Sequence, residues 1–284
     1  MKAGRTGSTP GDVTKVLSPE SDALRVLRKD IGGASFLLNT IVVGLDAVEK
    51  GHQKPDEINV MWAPKDRIVA ARKARKFTVE AFIVRAAETL KSYQNTVSKL
   101  PQFKPVTDNW SYKTRAADKL ADICKTTIGT KNYLTAAGKL LITWRNKISH
   151  NQALTVNKLD ENVLRDNAEE ILQRYSLLDI DRLLVHMKEG RPTLKDVSSL
   201  ISMAINLAIE IDRNVYNSLT KEDVFSLAEQ YGIIANIKAI RLETTELKIV
   251  GSVKRAFNSR APNLYSPFLR FYESDGSDLE LFDS

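Results

Sequence analysis

One stretch of the chain carries residue types that can do chemistry on a phosphodiester. Residues 144–151 read Trp-Arg-Asn-Lys-Ile-Ser-His-Asn, which brings Arg145, Asn146 and His150 close together. Arginine is always charged and presents a planar fork that matches phosphate oxygens, whereas histidine titrates near neutrality and can move a proton. Asn146 and His150 share a helix face because they are four residues apart, and Arg145 lies about 100° around the helix from Asn146.

These groups suffice for RNA cleavage without a metal ion or a cofactor. A base removes the proton of a ribose 2′-OH, the 2′ oxygen attacks the adjacent phosphorus, and a cation stabilises the charge that develops on the phosphate oxygens. The expected product is a 2′,3′-cyclic phosphate, and DNA is not cut this way because it lacks the 2′-OH. His150 is therefore the candidate general base or acid, and Arg145 is the candidate stabilising cation.

The residues before the motif predict the helix that positions it. Apolar residues recur there at spacings of 3, 4, 3 and 4: Leu134, Ala137, Leu141, Trp144 and Ile148. This period indicates an amphipathic helix over 130–150, with Thr130 as its N-cap and the motif at its C-terminal end. Unwinding after Ser149 would let His150 turn toward Arg145.

Similar patterns predict helices along most of the chain. The predicted helices are 19–50, 65–99, 112–126, 160–189, 194–219 and one that begins at Thr220. The first takes Ser18 as N-cap and is expected to break at Gly32-Gly33. Residues 233–257 fit either a strand pair or a helix, with the helix favoured, and 258–270 look irregular.

The predicted fold is therefore all-α: a helical bundle with a smaller, mainly helical C-terminal extension. We expect a flexible leader over 1–18, the bundle over 19–220, the extension over 221–270 and an acidic tail over 271–284. The apolar stretch from Phe36 to Val48 is too short and too interrupted by polar residues to be predicted as a membrane span.

Composition favours an anionic partner inside the cell. The 284 residues carry a net charge of +7, and 43% are hydrophobic; this charge favours nucleic acid over a membrane surface, although an ordinary solvated basic surface explains it equally well. The single cysteine, Cys124, excludes an intrachain disulfide and a cysteine-based zinc site. With no apolar core of a signal peptide near the N-terminus, we expect a cytoplasmic protein without membrane contact.

Several cations are candidates for contact with an RNA backbone. They are Arg72, Lys73, Arg75 and Lys76 on the predicted second helix and Lys139 and Lys147 on the motif helix. Such contacts give salt-sensitive affinity that does not depend on base sequence. The alternative is that they belong to ordinary charged helix faces.

Arg-Asn-x-x-x-His at the end of a bundle helix resembles the signature of the HEPN superfamily (higher eukaryotes and prokaryotes nucleotide-binding domains). The resemblance covers about residues 20–220. It implies a helical bundle that forms a homodimer, two motifs that build one composite ribonuclease site, and a role as a toxin or an antiviral defence effector. It also implies that Arg145 and His150 are catalytic and that Asn146 supports or orients them. A polar residue from another helix is expected to reach the site; Glu80 and Glu88 are candidates, although a solvent-facing role is the favoured alternative for both. An inhibitor or activator protein would be a further partner of unknown identity.

Two features depart from that pattern or lie outside it. The branch that pairs with a nucleotidyltransferase antitoxin usually has Tyr two residues after the histidine, and this chain has Gln152, so that antitoxin system is not predicted. The tail ends with a segment similar to peptides that dock on bacterial sliding clamps, which would bind through Leu279, Leu281 and Phe282. A free or inhibitory acidic tail is the alternative. The rival to the enzyme as a whole is a non-catalytic helical module that binds nucleic acid or a protein.

Overall fold

The computed structural model describes residues 20–129, 132–150, 157–236 and 246–274, and every regular element in these ranges is a helix. The all-α fold class is thereby confirmed. The predicted leader, the predicted N-caps Ser18 and Thr130, Gln152 and the clamp-docking residues of the tail lie outside the described residues.

The elements follow one another as long helices joined by short ones. They are α1 (Asp22–Glu49), α2 (Arg67–Val97), a 3₁₀ turn (Pro101–Phe103), α3 (Lys104–Thr107), α4 (Ala116–Thr127), α5 (Tyr133–His150), α6 (Lys158–Asp166), α7 (Ala168–Arg174), α8 (Ile180–Glu189), α9 (Leu194–Asn217), α10 (Lys221–Gln230), α11 (Glu246–Arg260) and α12 (Pro262–Ser274). A further helical turn covers 233–236.

Helices α1, α2, α5 and α9 form the main bundle, with α5 at its centre. Helix α5 packs against α2, α9, α4 and α6, whereas α1 packs against α2 and α9. One continuous apolar core runs through these helices and includes the fully buried side chains of Ile83, Leu141 and Trp144. Burial of so many apolar side chains is the main stabilising contribution to the bundle.

A second, smaller core lies among the C-terminal helices. It joins residues of α10, α11 and α12 around Phe257, whose ring is 4.8 Å from that of Phe268. Leu100 and Tyr216 pack against both cores and connect them. Arg270 adds polar contacts, because it donates to the carbonyl oxygens of Asn217 and Leu219 at 3.0 Å each.

Several predicted helix boundaries are wrong for identifiable local reasons. Ser21 caps α1, because its side chain accepts a hydrogen bond from the Leu24 N–H, and α1 continues through Gly32-Gly33 without a break. The predicted helix 160–189 is three helices. It is interrupted at Asn167, which has a non-helical backbone, and again where Ser176 and Leu177 have positive φ.

The C-terminal extension is more helical than its sequence suggests. Residues 246–260 form a helix, which agrees with the favoured alternative for that part of 233–257. The expectation of an irregular segment over 258–270 is wrong, because most of it belongs to α11 and α12. Helix α12 begins at Pro262, a first-turn position that proline favours because its missing N–H has no partner there anyway.

The outer halves of α1 and α2 have fewer neighbours than the rest of the bundle. From Asp30 to Thr78, the buried residues are few: Ile31, Leu38, Ala71 and Thr78 itself. Among the described residues, α1 alone is long and apolar enough to cross a membrane, judged by length and composition, and little of it is buried. This tests neither the expected cytoplasmic location nor the expected absence of membrane contact.

Candidate functional site

Helix α5 is held by burial along nearly its whole length. Asn132 begins it, since its side-chain oxygen accepts a hydrogen bond from the Leu134 N–H at 2.8 Å. Gly138 allows two neighbours to approach, because a Cβ at this position would lie 2.7 Å from a methyl of Leu207 and 2.9 Å from one of Leu120. Trp144, next to the motif, is fully buried. The motif therefore starts at a rigidly packed turn.

The three predicted catalytic residues do lie together at the C-terminal end of α5. Arg145 Nη1 donates to Asn146 Oδ1 at 3.0 Å and lies 3.1 Å from His150 Nε2. His150 is the last residue of the helix and is exposed, while the Arg145 side chain is 19% exposed. No unwinding after Ser149 is needed for this contact, so that part of the expectation is wrong: α5 remains helical through His150.

The contact also determines which atom of the imidazole faces the arginine. A guanidinium can only donate hydrogen bonds, so His150 Nε2 acts as the acceptor in this arrangement. A nitrogen that accepts a hydrogen bond is unprotonated, so its lone pair can take a proton from a substrate once the contact with Arg145 opens. The arrangement thus places a cation and a proton acceptor about one hydrogen bond apart at the protein surface.

Glu88 of α2 is the residue that another helix brings to the motif. Arg145 Nε lies 2.6 Å from Glu88 Oε1. Because Arg145 Nε is buried and forms no directed hydrogen bond, the contact is an ion pair. Lys91 holds the same carboxylate from the other side, at 3.1 Å from each oxygen. Glu80, the other candidate, instead faces Lys76 at 3.7 Å and lies two turns away along α2.

Lys147 and Lys139 are both engaged in contacts within the bundle. Lys147 Nζ donates to the carbonyl oxygens of Met187 and Lys188, at 3.0 and 2.8 Å, and so caps the C-terminus of α8. This is a favourable place for a cation because helix C-termini carry partial negative charge. Lys139 Nζ lies 2.7 Å from Asp160 Oδ1 in an ion pair with little solvent exposure. Their proposed contact with RNA remains a prediction.

The basic cluster of α2 is not brought to the motif. Fifteen residues separate Lys73 from Glu88, which corresponds to roughly 22 Å along the helix. Two arginines of the cluster are held by one carboxylate, since Arg72 Nε is 3.1 Å and Arg75 Nη2 is 3.4 Å from Glu49. Lys73 is exposed. An RNA would have to extend along α2 to contact both the cluster and the motif.

Contacts and burial indicate structural roles for His186 and Cys124. His186 Nδ1 lies 2.8 Å from Asp196 Oδ2, and Asp196 is buried at the start of α9. Cys124 is fully buried, and this burial raises the pKa of its thiol to about 12. Within the described residues, no group of three or more His, Cys, Asp or Glu side chains is arranged to hold a metal ion.

Sequence reasoning found the motif but favoured a solvent-facing role for both Glu80 and Glu88, whereas Glu88 contacts Arg145, and it missed Lys91 altogether. The spacing of Glu88 and Lys91, three residues apart on one helix face, is the only local signal for that pair. Comparisons of the chain with protein-family models, with curated proteins and with solved structures find no match.

Proposed function

We propose that this protein is a metal-independent endoribonuclease of HEPN type. The observation that carries the proposal is the 3.1 Å contact between Arg145 Nη1 and His150 Nε2 at the exposed end of a buried helix. A toxin or antiviral effector that works in the cytoplasm is the biological setting that the resemblance favours.

In the proposed reaction, the contact between Arg145 Nη1 and His150 Nε2 opens, and His150 Nε2 then removes the proton of a ribose 2′-OH. The 2′ oxygen then forms a bond to the adjacent phosphorus, and the bond from phosphorus to the 5′ oxygen breaks. Arg145 stabilises the negative charge on the non-bridging oxygens while both bonds are partial. The 5′ oxygen leaves with a proton, so the products are a 2′,3′-cyclic phosphate and a 5′-hydroxyl.

Asn146 and Glu88 would orient the arginine for this step. Asn146 contacts Nη1 of the guanidinium and Glu88 contacts Nε, whereas Nη2 contacts neither residue. A cation held by two neighbours loses little freedom when it meets a phosphate, so more of its interaction is expressed in the transition state. A second copy of the motif would supply the acid that protonates the leaving oxygen, which is the proposed reason for a homodimer with a composite site.

The test is cleavage of a mixed-sequence RNA in EDTA by the purified full chain. We expect Arg145→Ala and His150→Ala each to lower the rate by a factor of about 10² to 10⁴. Arg213→Ala is the matched control, because this arginine is exposed and lies near Glu210, which contacts Asn132 at the opposite end of α5 from the motif. The fragments should end in a 2′,3′-cyclic phosphate, and an oligonucleotide with 2′-deoxyribose at the cleavage position should resist. Equal cutting by the wild type and both motif variants would disprove the proposal.

A second candidate is a non-catalytic helical module that binds nucleic acid or a protein. The observation that favours it is the exposed apolar surface on the outer halves of α1 and α2, where Phe36 and Phe77 are 72% and 73% exposed. Large exposed apolar patches mark interaction sites on soluble proteins. This candidate predicts that an Arg145→Ala/His150→Ala double variant keeps the whole activity of the protein, measured as growth arrest or as binding to RNA.

A further inference from the structure

Helices α1 and α2 expose an apolar surface that the proposed reaction does not use. We define the α1–α2 face as the apolar and small residues on the outer side of these helices. They are Val26, Gly33, Phe36, Leu37, Ile41, Val43 and Gly44 of α1 and Phe77 and Ala81 of α2. Its six large side chains are between 42% and 73% exposed.

One ion pair shows that the two helices contribute to one surface. Asp30 and Arg85 contact each other across the two helices, at 3.6 Å. Asp30 is one turn before Gly33 on the same side of α1, and Arg85 is one turn after Ala81 on the same side of α2. The Leu37 side of α1 and the Phe77 side of α2 are therefore neighbours on the outside of the bundle.

The size of this face is that of a protein interface. With roughly 150–200 Å² for each fully exposed large side chain, the six large residues leave roughly 550–740 Å² of apolar surface in solvent. The largest apolar patch on a typical monomer covers about 300–600 Å². A standard interface buries about 800 Å² on each partner. The face is thus at or above the upper end of what a monomer usually carries, and it approaches the area that one partner buries in a stable complex.

The order of residues along α1 identifies the partner. Gly33, Leu37, Ile41 and Gly44 follow at spacings of 4, 4 and 3, so they form one stripe. The stripe reads small, large, large, small in either direction. A two-fold contact requires a surface that is complementary to itself, and an antiparallel pair of α1 helices would set Gly33 of one copy opposite Gly44 of the other.

The glycines fit this arrangement. A Cβ at Gly33 or Gly44 would meet no atom of another described element within 4 Å, so no packing contact in the described ranges requires glycine at either position. Glycine is less favourable than alanine within a helix. It does allow a second helix to approach closely, which gives these two positions a reason to lack side chains.

We propose that a second copy of this chain packs on the α1–α2 face, with the two α1 helices antiparallel across a two-fold axis between Leu38 and Asn39. This proposal does not depend on ribonuclease activity. Glu88 lies roughly 15 Å along the helices from that axis, so the two motifs would be roughly 30 Å apart in that direction alone. The contact is therefore distinct from the one that would build a composite site, and a chain that makes both would form a larger assembly than a dimer.

The first test measures the mass of the full-length protein by sedimentation over a range of concentrations. We expect the wild type to associate and Leu37→Glu/Ile41→Glu to have half its mass, with an unchanged circular dichroism spectrum. Val185→Glu is the matched control, since Val185 is an apolar residue of α8 that is 49% exposed, and it should associate like the wild type. A monomeric wild type of 31.8 kDa, or a double variant with unchanged mass, would overturn the proposal.

Cross-linking with a short bismaleimide tests the register. Thr40 is exposed on the same side of α1, and the proposed axis puts the two copies of this residue about 5 Å apart along the helices; the two copies of Val26 would be about 38 Å apart. Thr40→Cys should form a cross-linked dimer and Val26→Cys should not. The native Cys124 will not interfere because it is buried. Cross-linking at Val26, or none at Thr40, would overturn the antiparallel contact.

A membrane is the other occupant that this apolar face could have, and flotation with vesicles of anionic phospholipid distinguishes it. The proposal expects the wild type to remain with the soluble fraction. Flotation of a wild type that is monomeric in solution, abolished by Leu37→Glu/Ile41→Glu, would assign the face to a lipid surface and overturn the proposal.

Discussion

Helices α5 and α1 are both rich in apolar residues, yet the fold treats them differently. Helix α5 is packed against four other helices, and only its last turns reach the surface. Helix α1 packs on α2 and α9, and from Gly32 onward a single residue, Leu38, is buried. The difference shows that apolar composition alone does not say whether a helix will hold a site rigidly or present a surface to a partner.

The largest expected effect on stability comes from truncating a large aromatic side chain in α5, compared with one in α1. Trp144→Ala should lower the free energy of unfolding by about 3–5 kcal/mol, because it opens a cavity beside the motif. Phe36→Ala should change it by less than about 0.5 kcal/mol at low protein concentration, because Phe36 is exposed. Urea unfolding followed by circular dichroism measures both. Similar losses for the two variants would mean that α1 is buried in solution even at low concentration.

Replacing a glycine by alanine should change the free energy of unfolding in opposite directions in α5 and α1. Gly138→Ala should destabilise the chain by about 1–3 kcal/mol, because its Cβ would overlap methyl groups of Leu207 and Leu120. Gly33→Ala should stabilise the isolated chain by about 1 kcal/mol through helix propensity, while it weakens association. Thermal unfolding at several concentrations checks both effects. A stabilising Gly138→Ala would show that α5 is packed more loosely than described.

The ion pair between Glu88 of α2 and Arg145 should contribute less to the cleavage rate than Arg145 and His150 do. Glu88→Gln removes the charge that pairs with Arg145 but keeps the shape, so we expect about a tenfold loss of cleavage rate, equal to ~1.4 kcal/mol. Glu80→Gln is the control, because it changes the same residue type on the same helix, beside Lys76. Equal rates for both variants would mean that Arg145 is positioned by α5 alone.

The smallest effect concerns the buried end of α1. Ser21 donates hydrogen bonds to Asp212 of α9 from its backbone N–H and from its hydroxyl. Burial raises the pKa of Asp212 above its ordinary value of 3.8, although the two hydrogen bonds from Ser21 oppose this shift. A raised pKa means that the folded state binds the proton more tightly than the unfolded state does. This contribution to stability is therefore present at low pH and is lost as the pH rises from 3.8 through the folded pKa.

Asp212→Asn tests this assignment. The variant cannot titrate at this position, so its stability should fall less than that of the wild type as the pH rises over the same acidic range. Denaturant unfolding at a series of pH values measures the difference. Parallel pH curves for the two proteins would mean that the carboxyl of Asp212 is not perturbed by its burial.

Local sequence signals predicted the features that depend on one helix. The apolar spacing of 3, 4, 3 and 4 predicted α5, and α10 begins where expected, with Thr220 as its N-cap in a capping box with Asp223. The contact between Arg145 and His150 was expected to need unwinding after Ser149, yet it forms with α5 still helical. The predicted break at Gly32-Gly33 is wrong because the helix-forming residues on both sides outweigh the loss of helix stability that two glycines cause. The prediction of an irregular segment over 258–270 is wrong. Its prolines and polar residues are typical of a loop, but packing of Leu264 and Phe268 in the second core favours a helix.

Features that depend on how helices cross could not be read from the sequence. The choice of Glu88 over Glu80 depends on the point at which α2 passes the end of α5. The roles of Lys139 and Lys147 depend on α6 and α8, which supply Asp160 and two carbonyl oxygens. Periodicity also indicates on which faces of α1 the apolar residues lie. It does not indicate which of these faces the other helices will cover.

The position of the motif at the end of α5 has a consequence for the dynamics of the site. We expect backbone amides around the fully buried Trp144 to exchange their hydrogens with solvent when the whole bundle opens, and amides of the exposed last turn to exchange through local fraying. Arg145 stands on the slowly exchanging side of this boundary and His150 on the fast one. The proton acceptor can therefore be released and restored many times during the lifetime of a single folded molecule, while the cation stays in place.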